Sequence, residues 1–230
     1  HINAFGGEDR LWLGPEGGQF SIFFRKGDPF DLEHWQTPPL VDTQPWPVVE
    51  RSARLVAFRH AGRLANHSGT SLDVRIDRTV RILDAEAAAL RIGGPVPRGV
   101  RWVAFESENR LTNAGKRAWT KEKGLLSLWV LGMFKPSDSA VVIAPFIAGM
   151  PSAFGVPVSD SYFGKVPAER LHVDVKAGVA FFRGDAKMRT KIGLSPSRSP
   201  LRGAPAPRQA WRVTRPHSLR FAPFGEGSDN

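Results

Sequence analysis

The chain has 230 residues, 41% of them hydrophobic, with 15 Phe, 7 Trp, one Tyr and no Cys. That is enough apolar material to fill a core, which excludes a disordered chain, and the lack of Cys excludes disulfides, thiolate metal sites and cysteine nucleophiles. The formal charge of +10 comes from basic residues scattered singly among acids such as Asp73, Asp77 and Glu86, not from Lys/Arg clusters interleaved with rings, so no nucleic-acid partner is expected.

Strand signals begin at once. The chain opens without Met, and residues 5–24 read as strand, glycine turn, strand: Phe20, Ile22 and Phe24 share one parity, Gln19, Ser21 and Arg25 the other. A chain that opens in mid-strand is expected to have lost its true N-terminus, and any leader with it. The Pro-rich stretch from Thr37 to Pro47 reads as a long ordered loop crossing the open end of a sheet, where ligand sites are often built. Next comes a strand with Leu72, Val74, Ile76, Val80 and Ile82 on one face and Asp73, Arg75, Asp77, Thr79 and Arg81 on the other. Asp84 can cap a short helix through Glu86 to Leu90 that Gly93-Gly94 stops. Trp102 and Ala104 alternate with Arg101 as in a strand. The runs Leu125 to Phe134 and Val141 to Phe146 are apolar on both parities and predict central strands covered on both faces. A second Pro-rich loop spans Gly149 to Pro157, and Leu171, Val173 and Val175, then Val179 and Phe181, predict a hairpin about Lys176-Ala177-Gly178. After about residue 195 the alternation stops. Residues 196–230 carry six arginines against Glu226 and Asp229. They read as a disordered basic tail or as a stretch entered by a frameshift, with no packed structure expected. The fold expected is one all-β domain over residues 1–195 with at most one short helix.

Several side chains stand out chemically. Glu106 and Glu108 lie two apart on a strand and share a face, so they suit acid/base work or hydrogen bonding to sugar hydroxyls; the alternative is a solvated strand face. Arg78 has the parity of Val74 and Ile76. An inward Arg must be paired or line a polar cleft, unless a bulge turns it outward. Trp129, and Trp35 and Trp46 with His34 in the Pro-rich region, offer flat surfaces for a pyranose or else belong to the core. Tyr162, with Asp160 and Lys165, forms a polar cluster beside a glycine. The His residues at 1, 34, 60, 67, 172 and 217 show no metal-ligand spacing, so neither metal nor cofactor is expected. No apolar run approaches the roughly 20 residues of a spanning helix. The Cys-free composition fits the cytoplasm and exported bacterial proteins alike; a periplasmic or extracellular place is slightly favoured.

Longer strings carry a resemblance. Gly6-Gly7-Glu8-Asp9-Arg10-Leu11-Trp12-Leu13-Gly14-Pro15-Glu16-Gly17-Gly18, Phe105-Glu106-Ser107-Glu108-Asn109, Leu111-Thr112-Asn113, Ser127 to Phe134 and Ser161-Tyr162-Phe163-Gly164-Lys165-Val166-Pro167 resemble an uncharacterised bacterial branch of the galactose-mutarotase-like (aldose-1-epimerase-like) superfamily, over roughly residues 2–195. The resemblance implies an antiparallel β-supersandwich with a carbohydrate-sized cleft on its concave sheet. Active members use a His as general acid on the ring oxygen and a C-terminal Glu as general base on the anomeric hydroxyl. The nearest match to their His string is Asn66-His67-Ser68, followed here by Gly69-Thr70. Placing Leu111-Thr112-Asn113 as the equivalent strand puts Trp129 where related enzymes carry a His, and the C-terminal Glu would fall beyond the strand pattern. The expectation is a carbohydrate-recognising domain whose cleft is lined by Trp35, His34, Arg78, Asn109, Trp129, Tyr162 and Lys165. An active epimerase or other carbohydrate-modifying enzyme using Glu106 or Glu108 is one alternative, and an interaction sandwich with no small ligand another.

Overall fold

The computed structural model describes residues 9–133, 136–146, 158–160, 164–185, 187, 193–194 and 212–214. The fold is all-β, built of antiparallel sheets, with one short helix among the described residues. It divides into two compact units, residues 1–134 and 135–230.

The first unit opens with β1 (Arg10–Gly14), which pairs antiparallel with β6 (Ser127–Leu131). Its main sheet has the order β2 (Val48–Arg51), β3 (Leu55–Ala65), β4 (Ser71–Ile82), β5 (Phe105–Asn113). The alternation of β4 sorts the two faces as the sequence predicts. Leu72, Val74 and Ile76 are buried and pack with Leu11, Leu13, Phe23 and Leu64 in one core. The opposite face is a lattice of ion pairs. Arg59 and Arg75 both reach Asp77, Arg63 reaches Asp73, and Arg81 lies between Glu106 and Glu108. The hydrogen bond from Arg59 holds the Asp77 carboxyl below its ordinary range against desolvation, and Arg75 adds to it. Its contribution to stability is therefore present above the ordinary carboxylate value and lost as pH falls through the folded-state value.

Between β4 and β5 lies α1 (Ala85–Ile92). Asp84 Oδ1 accepts the Ala87 N–H at 3.0 Å, and Gly93 closes the helix in the left-handed region at φ 75°, the cap geometry read from the sequence. Trp102 to Ala104 do not extend the following strand, which starts at Phe105. β2 pairs with β3 only between Val56 and Phe58. Arg59 still donates its N–H outward to the Pro47 carbonyl at 3.1 Å; from Ala61 onward the outer edge of β3 takes no strand among the described residues.

Two further expectations fail in this unit. Residues 19–25 are not a strand. Ser21 is buried, its Oγ donates to the Glu16 carbonyl and accepts the Phe23 N–H, and its own N–H goes to Gly18. These local bonds turn the chain, and Ile22, Phe23 and Phe24 are buried in succession rather than alternately. β6 is not covered on both faces either: among the described residues it pairs with β1 alone, and Trp129 and Leu125 are exposed.

The second unit carries a sheet of order β12 (Arg212–Thr214), β7 (Val141–Pro145), β10 (Val179–Arg183), β9 (Leu171–Asp174). The predicted hairpin is present. Asp174 Oδ1 accepts the Ala177 N–H at 2.7 Å, and Gly178 takes φ 69° at the turn. Arg170 and Asp185, both nearly buried, form a two-pronged ion pair that ties the segments flanking the hairpin. Val158–Ser159 (β8) pairs with Gly193–Leu194 (β11). The strand at Arg212–Thr214 pairs antiparallel with β7, so the expectation of no packed structure after residue 195 does not hold there.

Candidate functional site

The first unit carries an open groove of about 640 Å³, lined by residues 22–26, 36–40 and 61–66 with Gln44 and Gly69. Its walls follow from local sequence. On one side, Pro38-Pro39 starts a tight turn in which the Pro39 carbonyl accepts the N–H groups of Asp42, Thr43 and Gln44. Arg10 holds Asp42 in an ion pair, Trp46 Nε1 donates to the Leu40 carbonyl at 2.9 Å, and Gln44 Oε1 meets His60 Nε2 at 3.1 Å. The loop is thus ordered, as the sequence predicts. Leu40 lies directly over Gly62, where a Cβ would collide with its side chain. On the other side, buried Asn66 donates to the Lys123 carbonyl and accepts the Thr70 N–H, which fixes the turn carrying Gly69 at φ 85°. The Asn66-His67-Ser68 string is part of this turn. His67 Nε2 lies 2.9 Å from the Asp28 carbonyl, and Ser68 Oγ donates to the Gln19 carbonyl.

Among the described residues three cations line the groove, Arg25, Lys26 and Arg63, and no carboxylate does. Arg63 is paired with Asp73 at 2.7 Å. Arg25 and Lys26 enter no ion pair among the described residues. Both are set by a turn. Asp28 accepts the Arg25 N–H through its side chain, returns its own N–H to the Arg25 carbonyl, and Gly27 takes φ 91° between them. The Lys26 alkyl chain rests on Gly69, its Cδ 3.2 Å from the position a Cβ would take there.

Of the residues singled out from the sequence, Arg78 and Asn109 come together. They are register partners on the core face; Arg78 Nη1 donates to Asn109 Oδ1 at 2.6 Å, and Nη2 donates to the Asp9 carbonyl at 2.6 Å. Register is continuous through Arg78, so no bulge turns it outward. Asn109 donates in turn to Ser107 Oγ. Glu106 and Glu108 lie on the opposite face of the same strand. Arg91 Nε donates to Glu106 at 3.1 Å, with Arg81 at 3.8 Å, and Glu108 is flanked by Arg81 and Arg110. Their register partners Arg81 and Thr79 lead across β4 to Leu55 and Ala57 of β3, about 13–20 Å along the strand from the groove.

Trp35 is half-buried at the core edge, stacked on Phe23 at 4.5 Å and set edge-on to Phe24 at 5.6 Å, with Nε1 donating to Thr37. It flanks the groove through its neighbour Gln36. Trp129, half-exposed on β6, donates to Ser127 Oγ at 2.9 Å. Its indole passes over Gly14, where a Cβ would stand 3.3 Å from Nε1. Lys165 is exposed in the second unit, beside Val166, whose N–H goes to Asp160. Tyr162 lies outside the described residues. His34 Nδ1 sits 2.7 Å from Asp31 Oδ1, and this hydrogen bond raises the imidazole above its ordinary value against desolvation. The pair's stabilisation is therefore full below the unfolded-state value and lost as pH rises through the folded-state one. An NMR titration should find the His34 midpoint moving down to the ordinary value in Asp31→Asn; an unmoved midpoint would remove Asp31 as the cause.

The groove residues Arg25, Lys26 and Gln36 escape a strand-parity reading because the segment is not a strand. The available signal was the Gly27-Asp28 turn directly after Arg25-Lys26.

Fold and groove together define an all-β protein of antiparallel sheets with an open groove of mixed apolar and polar lining at one strand edge. Residues 1–204 match the family of unknown function DUF6786, and the chain belongs to that family. No curated protein and no solved structure matches the chain. Among the described residues no helix is long and apolar enough to cross a membrane.

Proposed function

We propose that this chain is a carbohydrate-recognising domain whose ligand sits in the groove beneath the Pro-rich loop. One observation carries the reading. The groove, at about 640 Å³, is in the range of small-molecule sites, and its walls combine exposed apolar surface from Pro39, Ala61 and Ala65 with amide, hydroxyl and cationic groups. A pyranose has the matching surface, with apolar C–H faces and a rim of hydroxyls. The resemblance to galactose-mutarotase-like proteins supports the same ligand class. Arg78 and Asn109 satisfy each other on the core face, and Glu106 and Glu108 lie outside the groove, so the reading is recognition, with no reaction assigned.

The test is saturation-transfer NMR of the full chain against a panel of neutral monosaccharides and uronic acids. Transfer to at least one sugar is expected, and Ala61→Trp, which places an indole at an exposed position lining the groove, should weaken it. No transfer to any sugar, or transfer unchanged by Ala61→Trp, would overturn the proposal.

A further inference from the structure

We infer that the groove selects an anionic sugar, one bearing a carboxylate or sulfate; the inference rests on the carbohydrate reading above and narrows it. A neutral sugar has no use for an unpaired guanidinium and an unpaired ammonium side by side. Among the described residues all the charged groups lining this groove are basic, and only Arg63 of the three is neutralised, by Asp73. Arg25 and Lys26 stand next to each other on a turn fixed at both ends, by the Asp28 side chain and by the contact of the Asp28 carbonyl with His67. The Lys26 chain is laid along Gly69, whose missing Cβ gives it room. The turn sets the backbone of both exposed residues, and the Lys26 chain already lies along the wall at Gly69, so part of the side-chain ordering that normally opposes binding is complete before a ligand arrives. An oxyanion beside them gains charge-assisted hydrogen bonds, the guanidinium suiting a planar carboxylate and the ammonium any oxyanion as a point charge. Gln36, Thr37 and Gln44 lie on the facing wall and suit the hydroxyl rim of the same sugar.

The experiment is an NMR titration of the full chain with galactose, glucose, galacturonate, glucuronate and a 6-sulfated hexose. It is run on wild type, on Arg25→Gln/Lys26→Gln, and on Arg110→Gln/Arg117→Gln, which removes equal charge from exposed positions outside the groove. Acidic sugars should bind about tenfold more tightly than their neutral counterparts, a size expected of one or two charged hydrogen bonds. The groove variant should reduce the preference to within about twofold, and the control should keep it. Uronates preferred over the sulfated sugar assign a carboxylate, and the reverse a sulfate. Equal binding of neutral and acidic sugars overturns the inference while leaving the carbohydrate reading in place, as does an equal loss of preference in the control, which would mean attraction by net charge alone. No binding of any sugar to wild type overturns both.

Discussion

Phe23→Ala should lower the stability of the first unit by about 3–5 kcal/mol, the cost of emptying a large ring site in a packed core. Phe23 is fully buried and is the middle ring of a stack, 5.1 Å from Trp12 and 4.5 Å from Trp35, nearly parallel to both. Its carbonyl also accepts the Gln36 N–H at 2.8 Å, so the ring and the groove wall share one anchor. Urea unfolding followed by tryptophan fluorescence reads the change, since two of the three stacked rings are indoles. Phe23→Leu, which keeps most of the volume, should cost about 1–2 kcal/mol. Equal losses in the two variants would mean that the site collapses freely and that the stack does not organise the core.

Arg78→Met is expected to destabilise by about 3–5 kcal/mol, because it removes one partner of a buried polar cluster and leaves the others stranded. Arg78 and Asp9 each retain 13% of their side-chain exposure. The guanidinium serves Asn109, the Asp9 carbonyl and, at 3.5 Å, the Asp9 carboxylate. Asp9 Oδ1 already has no hydrogen-bond partner among the described residues, so its remaining contact with Arg78 is what offsets its desolvation. The double variant Arg78→Met/Asp9→Asn should recover part of the loss, giving a coupling of about 1–3 kcal/mol in a thermal double-mutant cycle. Additive losses would show that the two groups do not share a network.

Where sequence reading succeeded, one local rule and the tertiary structure agreed. The two faces of β4, the caps of α1 and the turn of the β9–β10 hairpin each follow from period, cap chemistry or turn residues over a few positions. Where it failed, a longer-range contact decided. Phe20, Ile22 and Phe24 share one parity, yet Phe23, on the parity of Gln19, Ser21 and Arg25, is the most deeply buried of the four because Ser21 and Gly18 turn the chain beneath a distant Pro-rich loop. β6 is apolar on both parities, but its pairing with β1 leaves Trp129 half-exposed. The candidate site was legible in part. The Pro-rich loop was singled out and does wall the groove, whereas Arg25 was read with the parity of a supposed strand and Lys26, just beyond it, was not singled out. The separation of Glu106 and Glu108 from Asn109 was available from parity alone, since even and odd positions of one strand face opposite ways.

The outer edge of β3 beyond Arg59 gives a different reason for the residues along it. An uncovered strand edge is a template on which a second molecule can add its own strand and begin ordered aggregation. Here Arg59 and Arg63 project beside that edge, mostly exposed, and Leu40 sits over Gly62 at its centre. Charge beside the edge and a loop across it are the two devices by which sheets keep such templates from propagating. Substitutions that strip Arg63 or loosen the Leu40 loop would therefore be felt first as lost colloidal stability in concentrated solution, before any fall in melting temperature.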